Sequence, residues 1–142
     1  MRGRKKSKNK NLRKLEKIKE MELHSKDKEY ILNLVQEDID LLEFVDKELL
    51  SDKPYMISVI KLNGLALKYA SDELKDDEDF VKVALQNSAG FALKYASKRL
   101  REDRNIVYEA INKYKAPLKY TSEEIRRELT EHINEFNRKH RK

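Results

Sequence analysis

A five-residue segment recurs along this chain at steps of 26 and 25 residues, and this recurrence restricts the chain to a small set of folds. The segment reads Leu-Lys-Tyr-Ala-Ser at residues 67–71 and 93–97, and Leu-Lys-Tyr-Thr-Ser at residues 118–122. One further step of 25 residues towards the N-terminus reaches a weaker copy, Leu-Glu-Phe-Val, at residues 42–45. Units this short cannot bury an apolar face alone, so successive copies must stack on one another to form a core.

The residues ahead of each recurring segment predict a helix with one buried face. In one copy, Met56, Val59 and Ile60 are spaced as one side of an α-helix. Pro54 falls in the first turn of this helix, where a missing N–H costs little. An aspartate precedes the helix of every copy, where a short carboxylate accepts hydrogen bonds from unpaired N–H groups. These aspartates are Asp27, Asp52, Asp77 and Asp103.

Residues that interrupt helices follow this first segment in three copies. Gly64 and Gly90 can adopt the left-handed backbone conformation that terminates a helix. Pro117 has the same effect in the last copy, because proline cannot continue the hydrogen-bond ladder. These positions predict a tight break inside each unit.

The recurring segment itself predicts a second, shorter helix. Leu67, Ala70 and Leu74 lie on one face of a helix with a period of 3.6 residues. Residues 64–70 also alternate in polarity, as a strand does, but the positions of Ala70 and Leu74 fit the helical period better. Each unit is therefore predicted to contain a helix, a tight break, a shorter helix and a polar loop.

The predicted fold class is all-α: a short α-solenoid of about four two-helix repeats with a C-terminal capping helix. The repeat region covers residues 27–127. Its four tandem repeats are placed at residues 27–51, 52–76, 77–102 and 103–127.

Segments on both sides of the repeats are predicted to close the array. A basic disordered tail over residues 1–10 and a basic amphipathic helix over residues 11–26 precede it. The C-terminal capping helix covers residues 122–138. Its apolar stripe consists of Ile125, Leu129, Ile133 and Phe136.

The composition excludes several kinds of site. The chain has 142 residues and no cysteine, so it has no disulfide, no thiol nucleophile and no cysteine-ligated metal. Its three histidines, His24, His132 and His140, are too scattered for a triad or a ligand set. The acidic run at residues 76–79 lacks the spacing and the glycine of a calcium loop. We predict no cofactor, no metal and no enzymatic activity, with an enzyme of unrecognised type as the least supported hypothesis.

Neither end of the chain predicts export or membrane insertion. No apolar run approaches the roughly 18 residues that suggest a spanning helix. The basic N-terminus is not followed by the apolar segment of a secretory signal. We expect a cytoplasmic protein with no transmembrane segment.

The net charge of +6 is unevenly distributed, and this predicts a second way of binding. Residues 1–20 carry a net charge of +8 and residues 138–142 a charge of +4, which leaves −6 on residues 21–137. A basic tail of this kind can bind polyanions through their phosphates without reading sequence. It can equally be a solubilising end. The candidate polyanion-binding residues are Arg2, Arg4, Lys5, Lys6, Lys8, Lys10, Arg13, Lys14 and Lys17.

Each recurring segment also places one lysine and one tyrosine at a fixed position. Lys68, Lys94 and Lys119 would form a column in a stacked array, able to meet phosphates or an acidic protein surface. A solvated face is the alternative, because Glu43 occupies this position in the first copy. The neighbouring tyrosines could stack on nucleic-acid bases, but we favour packing between copies. These tyrosines are Tyr69, Tyr95 and Tyr120.

The full recurring pattern is Asp-x-x-Phe-Val-x-x-Ala-Leu followed by Ala-Leu-Lys-Tyr-Ala-Ser-x-x-Leu. It resembles a bacterial and viral helical repeat known as domain of unknown function 4116. The resemblance is best over residues 52–102, weaker over 27–51 and 103–127, and does not reach the two tails. It implies a helical repeat fold, and no catalytic residue comes with it.

Two functions remain open from the sequence. We favour a non-catalytic helical-repeat module that binds a protein partner, as an adaptor or as a small phage or bacterial inhibitor of a larger, possibly nucleoprotein, assembly. The alternative is a nucleic-acid-binding protein that uses residues 1–20. The partner itself and the oligomeric state are not predicted.

Overall fold

The computed structural model describes the backbone of residues 2–141 and the side chains of residues 6–141, and the regular elements of this region are all helical. The predicted all-α class is confirmed. The α-helices are α1 (Arg2–Leu23), α2 (Lys28–Glu37), α3 (Lys47–Leu50), α4 (Lys53–Leu62), α5 (Asp72–Lys75), α6 (Glu78–Gln86), α7 (Lys98–Glu102), α8 (Arg104–Tyr114) and α9 (Glu123–Lys139). The 3-10 helices are η1 (Ile39–Phe44), η2 (Gly64–Tyr69), η3 (Phe91–Tyr95) and η4 (Leu118–Tyr120).

Aspartate caps begin the long helices α2, α4, α6 and α8. In each case a side-chain Oδ1 accepts a hydrogen bond from the backbone N–H three residues later, at 3.0 to 3.1 Å. The prediction of N-caps from the sequence is therefore correct. The four capping residues are Asp27, Asp52, Asp77 and Asp103.

The second part of each unit differs from the predicted single helix. Leu67 lies in the 3-10 helix η2, and Ala70, which follows this helix, has an extended backbone with φ −64° and ψ 156°. Ser71 then starts the one-turn helix α5, because its hydroxyl accepts a hydrogen bond from the N–H of Leu74 at 3.3 Å. A unit thus consists of a long α-helix, a 3-10 helix and one α-helical turn. Residues 64–70 form no strand, so the prediction of a helical segment in place of a strand is confirmed there.

The two glycines inside the repeats have different roles. Gly90 adopts the predicted left-handed conformation, with φ 79°. Gly64 does not, and the prediction is wrong there. Its N–H donates to the carbonyl of Asn87 in the next copy at 3.1 Å, and an added Cβ would lie 2.1 Å from the carbonyl oxygen of Ala84. Gly64 is needed for close approach between copies.

Equivalent elements of successive copies pack against one another. The long helices contact one another in the order α2, α4, α6 and α8, and η1, η2 and η3 contact one another beside them. Leu67 and Leu93 are fully buried between these layers, whereas Leu118 of the last copy is only half-buried. The largest fully buried side chains include Met56, Ile60, Phe80, Leu85 and Leu100.

Polar contacts at equivalent positions also join the copies. The N–H of Ser71 donates to the carbonyl of Leu50 at 3.2 Å, and the N–H of Ser97 donates to the carbonyl of Lys75 at 2.8 Å. The ammonium of Lys53 contacts the capping carboxylate of the next copy, and Lys28 makes the same contact one copy earlier. The registration of the units is therefore fixed by hydrogen bonds as well as by apolar packing.

The flanking helices are only partly packed. In α1, Met21 is buried, whereas Leu12 and Leu15 are exposed. Over residues 2–10 the structure differs from the expected disordered tail, because α1 begins at Arg2 and its lysines and arginines are good helix formers.

The C-terminal helix α9 also packs less than predicted. Its apolar stripe packs at one end only, since Ile125 is buried and Ile133 and Phe136 are exposed. Across residues 2–141, no helix combines the length and the apolar character that a bilayer span requires.

Candidate functional site

The three 3-10 helices of the later copies carry an exposed line of lysine and tyrosine side chains. The 3-10 helices η2 and η3 each bury an alanine and a leucine, such as Ala66 and Leu67 of η2, whereas Leu118 of η4 is half-buried. With three residues per turn, Leu65 and Lys68 lie one above the other on the opposite, solvent side. We call this line the lysine–tyrosine ridge. Its members are Lys68, Tyr69, Lys94, Tyr95, Lys119 and Tyr120.

Each ridge lysine holds its ammonium over a tyrosine ring. The Nζ of Lys68 lies 5.4 Å from the centroid of the Tyr69 ring, and that of Lys119 lies 5.2 Å from the Tyr120 ring. Lys94 connects two copies, because its Nζ lies 4.8 Å from the Tyr95 ring and 5.5 Å from the Tyr120 ring. These cation–π contacts orient exposed charges that would otherwise be free to move.

The tyrosine rings are half-buried at the boundaries between copies. Tyr69 donates its hydroxyl hydrogen bond to Asp40 of the first copy at 2.7 Å. Burial, together with this carboxylate, raises the pKa of Tyr69 above its ordinary value. The Tyr120 ring meets the Phe91 ring edge-on, with centroids 6.3 Å apart. The geometry agrees with our preference for packing between copies over base stacking.

Two apolar side chains next to the ridge were not identified from the sequence. Leu65 is 39% exposed and Phe91 is 46% exposed, and each precedes a ridge lysine by three residues. Their equivalent positions in successive copies could have identified them from the sequence. At the first copy the ridge changes character, since Asp40 and Glu43 replace the apolar residue and the lysine. The surface is therefore acidic at the first copy and cationic over the other three, and it is apolar beside the lysines of the second and third copies.

The predicted polyanion-binding residues divide into three groups. The side chains of Arg2, Arg4 and Lys5 lie outside the described residues. Lys14 and Lys17 face the protein: the Nζ of Lys17 lies 2.6 Å from Glu37, and the Nζ of Lys14 lies 5.9 Å from the Phe44 ring centroid. The exposed members are Lys6, Lys8, Lys10 and Arg13.

A cleft of 610 Å³ separates the basic side of α1 from the first copy. Lys10 and Arg13 line one wall, and Glu37, Asp38 and Asp40 line the other. The acidic wall attracts the C-terminal half of the basic helix and repels a phosphate that enters between them. Only the outward and N-terminal part of α1 is electrostatically suited to a polyanion.

The acidic run at residues 76–79 is used within the fold. Asp76 accepts hydrogen bonds from Ser97 and Arg99, which lower the pKa of its carboxyl group. Asp77 caps α6 and contacts Lys53, and the contact with Lys53 lowers the pKa of the Asp77 carboxyl group. Within residues 2–141, no group of three or more His, Cys, Asp or Glu side chains is arranged to hold a metal ion.

Comparison with family models gives overlapping matches along the repeat region. A model described as a domain of unknown function (DUF4116) matches residues 27–75, 53–89 and 77–126. The chain belongs to the DUF4116 family. The ridge of this DUF4116 protein lies wholly inside the matched residues, whereas α1 lies outside them. Searches of curated proteins and of solved structures found no match.

Proposed function

We propose that this DUF4116 protein is a non-catalytic α-solenoid module that binds a protein partner along the lysine–tyrosine ridge. It would act as an adaptor or as a small inhibitor of a larger assembly. The observation that carries the proposal is the ridge itself: three copies present the same exposed cation and ordered aromatic ring side by side.

The solenoid description is supported by the way the copies meet. Long helices stack on long helices and 3-10 helices on 3-10 helices, and equivalent hydrogen bonds recur from copy to copy. In such an array each unit contacts mainly its neighbours, so one face extends along the whole stack. A surface of this type suits an elongated partner.

A protein partner is supported by the mixture of side chains on the ridge. Phe91 and Leu65 remain exposed beside oriented lysines and tyrosines. Clustered aromatic and apolar anchors with a polar surround are typical of protein interfaces.

The polar groups of the repeats support a non-catalytic role. The hydroxyls of Ser71, Ser97 and Ser122 cap one-turn helices or α9, where each accepts a backbone hydrogen bond. The Ser97 hydroxyl donates to the carboxylate of Asp76, but Arg99 also contacts this carboxylate, and both contacts lower its pKa and make it a weak base. No histidine lies within residues 27–127. Catalysis by these serines is therefore disfavoured.

The test is capture of a partner by the tagged full chain from its native cell, with and without nuclease. A Leu65→Ala/Phe91→Ala variant should lose a stoichiometric partner that the wild type retains after nuclease treatment. The matched control is Leu62→Ala/Phe136→Ala, which truncates two apolar side chains that are more exposed than Leu65 and Phe91 and lie outside the 3-10 helices. Equal capture by both variants would show that the partner, if any, uses another surface.

The second candidate function, binding of nucleic acid, is favoured by one feature of α1. Lys6, Lys10 and Arg13 fall on one side of the helix at intervals of four and three residues, and all three are exposed. Lys10 and Arg13 also line the acidic cleft, so phosphates would contact them from the solvent side and not between the two walls.

Binding of a fluorescent single-stranded RNA as a function of salt tests this candidate. Each phosphate contact adds about −0.7 to the salt slope for single strands, so Lys6→Gln/Lys10→Gln/Arg13→Gln should reduce the slope by about 2. A control with Arg138→Gln/Lys139→Gln/Arg141→Gln removes the same charge from the other end of the chain. No detectable binding of wild type at low salt would eliminate the candidate.

A further inference from the structure

We infer that the ridge binds an acidic segment of its partner in the polyproline II conformation, with carboxylates at about every third residue. This inference rests on the proposed function, since it names the chemistry of the partner for the same surface. It depends on three properties of the ridge: the charge of its lysines, their separation and the acidic end at the first copy.

The ridge lysines are available to bind an external anion. Lys68, Lys94 and Lys119 are exposed, and none of them forms an ion pair with a carboxylate among the described residues. By contrast, Lys28 and Lys53 of the long helices are matched with carboxylates in the next copy. Lys26, Lys47 and Lys61 form no ion pair among the described residues either, so the ridge lysines are distinguished by their position over tyrosine rings in successive copies.

The separation of the ridge cations can accommodate one turn of a polyproline II segment. The Nζ atoms of Lys94 and Lys119 lie 5.5 and 5.2 Å from the centroid of one ring, that of Tyr120. The two ammonium groups are therefore no more than about 11 Å apart. A polyproline II segment advances about 9 Å in three residues and returns every third side chain to the same face. The helices η2 and η3 contact each other, and packed helices are separated by about 8–10 Å, so we expect a similar separation of Lys68 and Lys94. Carboxylates at positions i, i+3 and i+6 can thus meet the three lysines in turn.

The apolar residues beside the lysines fit the same segment. Phe91 and Leu65 are exposed beside the lysines of the same 3-10 helices, where apolar side chains of a bound peptide could contact them. An acidic peptide with interspersed apolar residues would use both features. A polyphosphate chain would use only the cations.

The first copy sets where the segment ends. Asp40 and Glu43 occupy the positions that Leu65 and Lys68 hold in the second copy. Acidic side chains of the partner are repelled there. The bound segment is therefore confined to the second, third and fourth copies, a span of about seven residues from the first carboxylate to the third.

The test is titration of the isotopically labelled full chain with two isomeric synthetic peptides, followed by NMR at low ionic strength. One peptide carries glutamate at every third position and the other carries the same glutamates in one run, with identical serine and leucine content. The spaced peptide should shift the amide signals of the ridge and bind several-fold more tightly than the clustered isomer. A uridine oligonucleotide of similar length serves as the phosphate probe.

Two matched variants identify the surface. Lys68→Glu/Lys94→Glu/Lys119→Glu should weaken binding of the spaced peptide by about tenfold or more, since three exposed ion pairs are lost. Lys26→Glu/Lys47→Glu/Lys98→Glu changes the net charge equally at exposed sites off the ridge and should alter binding by less than about twofold. A set of ridge variants with glutamine in place of glutamate separates loss of charge from repulsion, and circular dichroism checks that each variant is folded.

Each outcome distinguishes this inference from the proposed function. Equal affinity for the two isomers, equal loss in both lysine variants, no binding at millimolar peptide, or preferred binding of the oligonucleotide to the ridge would each overturn the acidic-segment inference. If partner capture still depends on Leu65 and Phe91, the ridge function stands with a partner of different chemistry. If capture does not depend on them, the proposed function fails, whichever peptide binds.

Discussion

Replacement of Gly64 by alanine tests the contact between the second and third copies most directly. The new Cβ would lie 2.1 Å from the carbonyl oxygen of Ala84 and 2.9 Å from the carbonyl carbon of Asn87. Even weak contacts between carbon and oxygen keep about 3.3 Å, so the two backbones would have to separate by about 1 Å. Both atoms belong to the main chain near the end of α6, so rotation of a side chain cannot relieve the overlap.

The expected loss of stability follows from three contributions. Overpacking of a buried site costs about 1–3 kcal/mol. Separation of the copies also weakens the hydrogen bond from Gly64 to Asn87, which is worth about 1 kcal/mol. Alanine restricts the unfolded chain and returns about 0.4–1 kcal/mol. We expect the free energy of unfolding to fall by about 2–3 kcal/mol, which corresponds to a decrease in Tm of roughly 10 °C for a chain of this size.

Urea denaturation followed by far-UV circular dichroism measures this change. Ser58→Ala on the exposed side of α4 is the control and should stay within about 0.5 kcal/mol of wild type. Hydrogen exchange should show faster exchange at η2 and α6 in the glycine variant than in the control. A loss below about 0.5 kcal/mol for Gly64→Ala would mean that the second and third copies do not approach each other as described.

Three further predictions concern single sites. Ala89→Gly should stabilise the protein by about 1 kcal/mol in urea denaturation, because Ala89 has φ 49°, in the left-handed region that favours glycine. A destabilised variant would refute this backbone conformation. Lys53→Ala should raise the pKa of Asp77 in an NMR titration, since the Lys53 hydrogen bond lowers that pKa. The stability that this pair contributes is present above the ordinary value of 3.8 and is lost as the pH falls through the lowered folded pKa. The stability difference between wild type and variant should therefore shrink in acid, and a constant difference would contradict the pairing. Tyr69→Phe removes the hydroxyl that donates to Asp40 and should cost about 0.5–1.5 kcal/mol by the same denaturation assay, whereas no change would show that water replaces this contact without loss.

The sequence predicted those features of the fold that depend on local chemistry. The aspartates before the long helices were identified because a short carboxylate satisfies the N–H groups of a first helical turn whatever lies around it. Gly90 was identified for a similar reason, since a left-handed backbone conformation favours glycine wherever it occurs. The recurrence of the segment at 25 and 26 residues implied stacked copies, and Leu67 and Leu93 are indeed buried between them.

The ridge was only partly visible in the sequence. Its lysines were found by their recurrence. Lys94, however, lies near two tyrosine rings, and one of them, that of Tyr120, belongs to the next copy. Contacts of this kind depend on the distance between copies, which the spacing along the chain does not give. The same limitation hid Phe91, because its exposure is a property of the stacked 3-10 helices and not of its hydrophobicity.

By itself the sequence determined the helical class, the length of the unit, the caps of the long helices and the uneven distribution of charge, because each depends on neighbours along the chain. The tertiary structure decided that Ala70 is extended, that Gly64 serves close approach and that Lys17 is paired with Glu37. It also decided that the ridge lysines form no ion pair with the carboxylates of residues 6–141. Each of these depends on how near one copy, or α1, lies to another element. That distance is the result of all the packing contacts together, and no local pattern of residues records it.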